Sequence, residues 1–244
     1  MATAGRPSAA QLAGERAAAA AQVFVVDAAD PVVEPDDVHH LLHVLRLRPG
    51  ETVVAADGRG SWRRCRVGKV ADRLLEPDGD VVREPAPVPP LTVAFAPVKG
   101  DRPEWVVQKL TELGVDRIAV LAAERAVVRW PTGKARHHLD RFGRVARAAA
   151  AQSRRVYLPE VTGPTGLPEL AAAGGLALAQ LGGGPARLDP PAVAVGPEGG
   201  WSEQELGLGL PLVGLGETVL RAETAAVAAA VLYTSLRRYR EEDA

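Results

Sequence analysis

Two continuous apolar runs, LTVAFAPV (91–98) and AVAVG (192–196), constrain this chain more than any other feature. Neither alternates polar with apolar residues, so neither suits a strand with one wet face. Both suit strands buried on two sides, as in a parallel sheet covered by helices. The segments between them supply such helices. After the first run, Asp101 and Glu104 have capping-box spacing, Pro103 sits in the tolerant first turn, and Val106, Val107, Leu110 and Leu113 form one inward stripe. Gly114 ends that helix and RIAVLAAE (117–124) begins the next strand. A second helix over 134–152 buries Leu139, Phe142, Val145, Ala146 and Ala149, with Arg144 and Arg147 on its other side and Arg154 and Arg155 just beyond. LALAQL (176–181) is a further strand, and 222–239 is a long helix rich in Ala and Val. The alternation predicts an α/β fold with a mostly parallel sheet covered on both faces.

The first third has a different texture. VFVVD, ETVVAAD, SWRRCRVGKV and DVVRE are short and strand-like, separated by the turn signals DGRG and PDGD. One helical segment, DDVHHLLHVLRL (36–47), interrupts them with Val38, Leu41, Leu42 and Leu45 at helical spacing. This reads as a small β-barrel with a helix. EPAPVPP (84–90) can continue neither helix nor sheet and is the best linker in the chain. The expected organisation is an N-terminal extension over 1–21, a barrel over 22–84, a linker over 85–90 and the α/β domain over 91–244.

Composition narrows the function classes. A net charge of -1 argues against a blanket binder of nucleic acid, although a local basic face remains compatible with it. The single cysteine, Cys65, excludes an internal disulfide framework and a multi-thiolate zinc site, and suits a reducing cytoplasm. No apolar run is long enough to cross a bilayer. The Ala-rich start carries Arg6 and Arg16 but also Glu15, and reads as a helical or ragged extension rather than a transit peptide. His39 and His43 have i, i+4 spacing, yet HExxH and a completing ligand set are missing, so no metal is expected and the imidazoles read as surface or RNA-facing groups.

The sharpest chemical signal is AVAVGPEGGWSEQEL (192–206). A buried strand runs into a Gly-rich loop, and Ser202 with Glu205 makes a capping box that opens a short helix. Such a junction brings backbone N–H groups to a ligand at the carboxyl end of a strand; it also describes an ordinary βα turn. GPEGG is neither GxGxxG nor a P-loop, so neither a dinucleotide nor a triphosphate is implied. The second signal is LVGLGETVLRAETAAVAAAVLY (212–233): a strand over Leu212–Leu215, Gly216, a loop containing Leu220 and Arg221, then the long helix. Two such loops in succession point to one shared pocket, with Arg221 and Glu223 where it opens. A plain ion pair or helix-end charge is the alternative role for those two.

GPEGG-x-S-x-x-E (196–205) followed by LG-x-x-V-L-R-x-E-T-A-A (215–226) resembles the bacterial 16S ribosomal RNA uracil-N3 methyltransferases of the SPOUT superfamily. KGDRPEWVVQKLTELGVDRI (99–118), the ER-x-V-V of Glu124–Val128, AAAQSRRVYLPEV (149–161) and HHLLHVLRLRPGE (39–51) with the later DGRG are similar to the same family, so the resemblance covers nearly everything after Val23. It implies a PUA-like RNA-binding barrel, a SPOUT domain whose C-terminal segment passes through a trefoil knot, and a cytoplasmic homodimer acting on 16S ribosomal RNA of the small subunit. S-adenosyl-L-methionine is then expected at Leu181, Gly182, Gly196, Pro197, Glu198, Gly199, Gly200, Leu215, Gly216, Val219, Leu220 and Arg221. Arg221 is the expected stabiliser of a uracil anion, and Glu223 either accepts the N3 proton or orients Arg221. Lys99, Arg102, Arg125, Arg154, Arg155, Arg63 and Arg64 are the expected RNA contacts, with Arg46, Arg48, Arg59 and Arg66 extending that surface.

The chain departs from the family pattern at two places that bear on the Leu181 end of the pocket. ELGLGLP (205–211) is short where the family has a longer helix, and QLGGGPARLDPP (180–191) is trimmed. A SPOUT enzyme acting on tRNA or on a ribose hydroxyl, and a non-catalytic RNA-binding assembly factor, stay open as alternatives.

Overall fold

The computed structural model describes residues 7–69, 74–100, 102–130 and 132–242, so the expected cap at Asp101 lies outside the described residues. The chain forms two compact units. One contains the residues up to Ala86 together with Ala150–Leu158; the other contains Pro87–Ala149 and the residues from Pro159 on. The short segment Ala150–Leu158, which the sequence reading assigns to the α/β domain, therefore belongs to the first unit.

In the first unit, helix α1 (Ala9–Ala17) precedes β1 (Ala21–Phe24), α2 (Pro35–His39), β2 (Thr52–Ala56), β3 (Ser61–Val67), β4 (Leu75–Pro77) and β5 (Val82–Arg83). Strands β1 and β2 are parallel; β3 pairs antiparallel with β2, and with β4 and β5 along its two halves. Alternation along the strands divides the core. Val23, Val53, Ala55, Cys65 and Val67 face Leu41, while Phe24, Val54, Ala56 and Trp62 face Leu12 of α1 and Val156. The N-terminal extension is thus part of this unit's core. Glu84 accepts from both Arg16 and the Trp62 indole, and the Arg16 guanidinium lies 5.5 Å from the Trp62 ring centre. Burial pushes the Cys65 thiol up to about 11, which keeps it protonated and unreactive at neutral pH.

Helix α2 runs into a wider π-type turn over His40–Val44, with Leu45 N–H donating to His40. The extra residue rotates the expected apolar stripe: Leu41 stays buried, but Leu45 turns outward.

The second unit has a parallel sheet with β6 (Thr92–Phe95), β7 (Arg117–Leu121), β8 (Glu160–Thr165), β9 (Ala177–Gly184), β10 (Ala192–Val195) and β11 (Leu212–Val213). Their spatial order is β11-β9-β10-β6-β7-β8. One face carries Val93, Phe95, Ile118, Val120, Val193 and Val195. It packs against α3 (Arg102–Glu112), α4 (Thr132–Gln152) through Phe142 and Ala146, and α7 (Ala222–Glu242) through Ala226, Ala229, Ala230 and Tyr233. The opposite face is built from Ala94, Ala96, Ala119 and Ala194, and receives Leu167 of α5 (Leu167–Ala172) and Trp201. Both faces are covered, which is why the strands read as unbroken apolar runs.

Strand β8 escapes a pattern-based reading because Gly163 and Pro164 interrupt it. At a sheet edge a proline costs no ladder bond. The glycine is required: a Cβ on Gly163 would lie 2.4 Å from the Val120 carbonyl oxygen. Among the described residues, no helix is long and apolar enough to cross a membrane.

At the amino-terminal ends of β6 and β7, Arg237 of α7 pairs with Asp116 and donates to the carbonyls of Gly114 (3.0 Å) and Pro89 (3.3 Å), while Asp116 also accepts from Leu91 N–H at 2.9 Å. Removing the cation strands a largely buried carboxylate. Arg237→Met is therefore expected to cost about 3–5 kcal/mol in urea unfolding, whereas Ser235→Ala on the exposed side of α7 should stay within about 0.5 kcal/mol.

Candidate functional site

Strands β11, β9 and β10 are adjacent and parallel, so their carboxyl ends open on one edge of the sheet. A cleft of about 360 Å³ lies there. Of the residues expected from sequence, Leu181, Gly196, Pro197, Glu198, Gly200, Leu215, Gly216, Val219, Leu220 and Arg221 line it; Gly182 and Gly199 do not. The sequence reading missed Ala179, Gln180, Trp201 and Thr218, which also line it. Trp201 directly follows the GPEGG glycines, and a large aromatic at that point was a usable signal. Nothing in the sequence marks Gln180 or Thr218.

The backbone around the cleft is fixed by three local devices. The first concerns QLGGG, which is not a loop. It continues β9 to Gly184, which pairs with Val213 of β11. A Cβ on Gly183 would lie 2.5 Å from the Val213 carbonyl carbon, and one on Gly214 would lie 2.7 Å from the Gly183 oxygen. The glycines let two backbones touch, and that contact stands in for a longer loop at the Leu181 end. The second is Trp201, whose indole donates to the Ala179 carbonyl at 3.0 Å and lies against Gly196, where a Cβ would meet the ring at 3.1 Å.

The third device is the expected capping box at the start of α6 (Glu203–Leu206). Glu205 N–H donates to Ser202 Oγ at 3.0 Å, and Ser202 N–H donates to Glu205 Oε2 at 2.8 Å. The other carboxylate oxygen, Oε1, accepts from Glu124 N–H at 3.0 Å, so one buried side chain joins the Gly-rich loop to the loop after β7. Arg125 adds a second tie by donating to the Gly199 carbonyl at 3.3 Å.

At the mouth of the cleft, Arg221 is exposed and its carbonyl accepts from Ala225 N–H, starting α7. Glu223, in the first turn of α7, pairs with Arg102 at 3.4 Å rather than orienting Arg221. Its second oxygen is buried and has no hydrogen-bond partner among the described residues. Glu223 is not among the residues that line the cleft.

The remaining basic candidates divide by what already occupies them. Lys99, Arg102 and Arg125 are exposed in the unit that carries the cleft. Arg154 adopts a positive φ of 61° and turns into the first unit, donating to Ala151, Ala19 and Ala20 carbonyls; burial lowers its pKa. Its guanidinium thus already holds backbone carbonyls within that unit. Arg155 is half-buried and already engaged, its carbonyl accepting from Gln22. Arg63 donates to the carbonyls of Ala29 and Gly79, and Arg64 pairs with Asp78 at 3.3 Å. The His39 and His43 rings lie 4.8 Å apart on the surface.

The RNA methyltransferase domain model matches residues 84–234, and the RNA methyltransferase PUA domain model matches residues 33–76. The ribosomal RNA small subunit methyltransferase E of Mycobacterium bovis is 36% identical over 236 residues, covering 86% of this chain and 89% of that protein. The chain belongs to this RNA methyltransferase family. Within the family, the methyltransferase E of Neisseria gonorrhoeae bound to S-adenosyl methionine superposes with a TM-score of 0.70 at 28% identity, covering 88% of this chain and 97% of that one. A Legionella pneumophila methyltransferase in complex with the same cofactor gives 0.73 at 26% identity, covering 88% and 96%. The fold is accordingly that of a SPOUT-type methyltransferase with a PUA-like N-terminal domain.

Because Glu205 satisfies two backbone N–H groups, Ser202 at the start of its own helix and Glu124 in the loop after β7, Glu205→Leu should destabilise the second unit by about 2–4 kcal/mol. Amide exchange at Glu124 and Ser202 should accelerate more than exchange in β6; uniform acceleration would contradict this role.

Proposed function

We propose that this chain transfers a methyl group from S-adenosylmethionine to N3 of a uridine in 16S ribosomal RNA of the small subunit, working as a cytoplasmic homodimer. The observation that carries this reading is the cleft built from three neighbouring strand ends with the exposed Arg221 at its margin. The names of the relatives agree with it.

The residues present suit S-adenosylmethionine. Leu181, Val195, Leu215 and Leu220 offer apolar surface to an adenine, while Gly196, Gly200 and Gly216 admit close backbone approach. The volume of about 360 Å³ falls in the range of small-molecule sites. When bound, the cofactor supplies an electrophilic methyl group on its sulfonium. The protein's part is to align the acceptor base and exclude water. Uracil N3 becomes nucleophilic once its proton leaves, and the charge then spreads over O2 and O4. Arg221 supplies fixed positive charge for that anion.

Lys99 and Arg125 are suited to hold RNA phosphates near the cleft, and Arg64 offers an exposed cation on the PUA-like unit. Dimer formation is supported by α7, which turns its alanines to the core and leaves Val231 and Leu232 exposed. The knot expected of the family fits a path in which β10 lies between β9 and β6 before β11 returns to the outer side of β9.

S-adenosylmethionine at about 100 times its Kd should stabilise the protein by about 2.7 kcal/mol in thermal unfolding. Arg221→Ala should keep that shift while methylation falls about 100-fold or more. Equal loss of binding and methylation contradicts the role of Arg221, and no shift in the unaltered protein points to a non-catalytic RNA-binding factor.

A further inference from the structure

Two helix starts carry three charged groups, one lining the cleft and the other two in contact with each other. Arg221 lines it and immediately precedes α7; Glu223 lies in the first turn of α7; Arg102 opens α3 and reaches Glu223 Oε1 at 3.4 Å. The Glu223 side chain is only 14% exposed and that of Arg102 48%. A largely buried carboxylate with one oxygen unpartnered is costly to keep. Two facts limit what it does there. Its side chain is not among the groups that line the cleft, and its Oε1 faces Arg102. The next acid on α3, Glu104, is paired at 3.0 Å with Arg141 and does not compete for Arg102. Lys99 is the further cation before α3, exposed to solvent.

We infer that Arg102, steered by Glu223, is a second cationic donor to the deprotonated acceptor base, and that Glu223 is a positioning residue rather than the general base. This rests on the reading of the acceptor as uracil N3. The N3 proton passes to solvent hydroxide, giving water; the electron pair stays on N3, with the negative charge shared by O2 and O4. Arg221 at the cleft margin and Arg102 at the start of α3 then both supply positive charge to it, and the Glu223 carboxylate beside Arg102 holds that guanidinium in place. Arg102 is better suited to this than a lysine, because a guanidinium donates to a carboxylate and to a second acceptor at once.

The test is the pH dependence of single-turnover methylation of small-subunit RNA, with S-adenosylmethionine binding followed separately by calorimetry. Arg102→Ala should lower the rate at neutral pH about 100-fold and displace the rising limb of the profile to higher pH, with cofactor affinity unchanged. Arg102→Lys should recover part of the rate. Glu223→Gln should act in the same direction but more weakly, and the double variant Arg102→Ala/Glu223→Gln should be no slower than Arg102→Ala alone. Three results overturn the inference. One is a Glu223→Gln protein that loses the rising limb while Arg102→Ala keeps it, which makes Glu223 the base. Another is an Arg102→Ala protein that only weakens RNA binding and flattens its salt dependence, which makes Arg102 a phosphate contact. The third is additive losses in the double variant. If the unaltered enzyme's product carries its methyl elsewhere than uracil N3, the functional reading falls, and the inference with it.

Discussion

The contact of Gly183 with Val213 and Gly214 is the constraint on which the site depends. It lets β11 lie directly against β9, although β10 has already taken the other side of β9. Only then do the ends of β9, β10 and β11 stand side by side and enclose one cleft. Any side chain at Gly183 would push β11 outward and open the pocket along its Leu181–Leu215 wall. A backbone contact so close is available to glycine alone, so Gly183 is a structural requirement of this edge and not merely part of a shortened loop.

The second requirement is rigidity of the Gly-rich loop. Glycines that admit a ligand also leave the backbone loose, and the surrounding side chains compensate. Trp201 fastens the loop to β9, and Glu205 fastens it to the loop after β7. Glu205 thus serves the helix start and the neighbouring loop with one carboxylate. Sequence spacing reveals the first of those roles; the second depends on a residue more than 80 positions away.

Local signals made much of this legible. The apolar runs gave away the buried parallel strands, Ser202 and Glu205 marked α6, and GPEGG with VLRAET located most of the cleft wall. What stayed hidden has physical causes. Strand β8 is broken by Gly163 and Pro164, which an edge position tolerates, and the π-type turn after α2 shifts the helical phase of Leu45 without any marker residue. Arg154 looks like an RNA ligand in QSRR, but a left-handed backbone turns it toward Ala19 and Ala20. The partner of Glu223 is Arg102, 121 residues earlier, and no pattern within α7 discloses it.

The central claim is that the three-loop cleft serves methylation of one uracil in the small-subunit RNA. It is tested most directly by mapping modified nucleotides in 16S ribosomal RNA from cells with and without the protein, and from cells carrying a Gly183→Val form. The account predicts a single uridine that loses its N3 methyl group both when the protein is absent and in the Gly183→Val cells. An unchanged modification map without the protein, or a lost methyl group on a ribose or on another base, would contradict it.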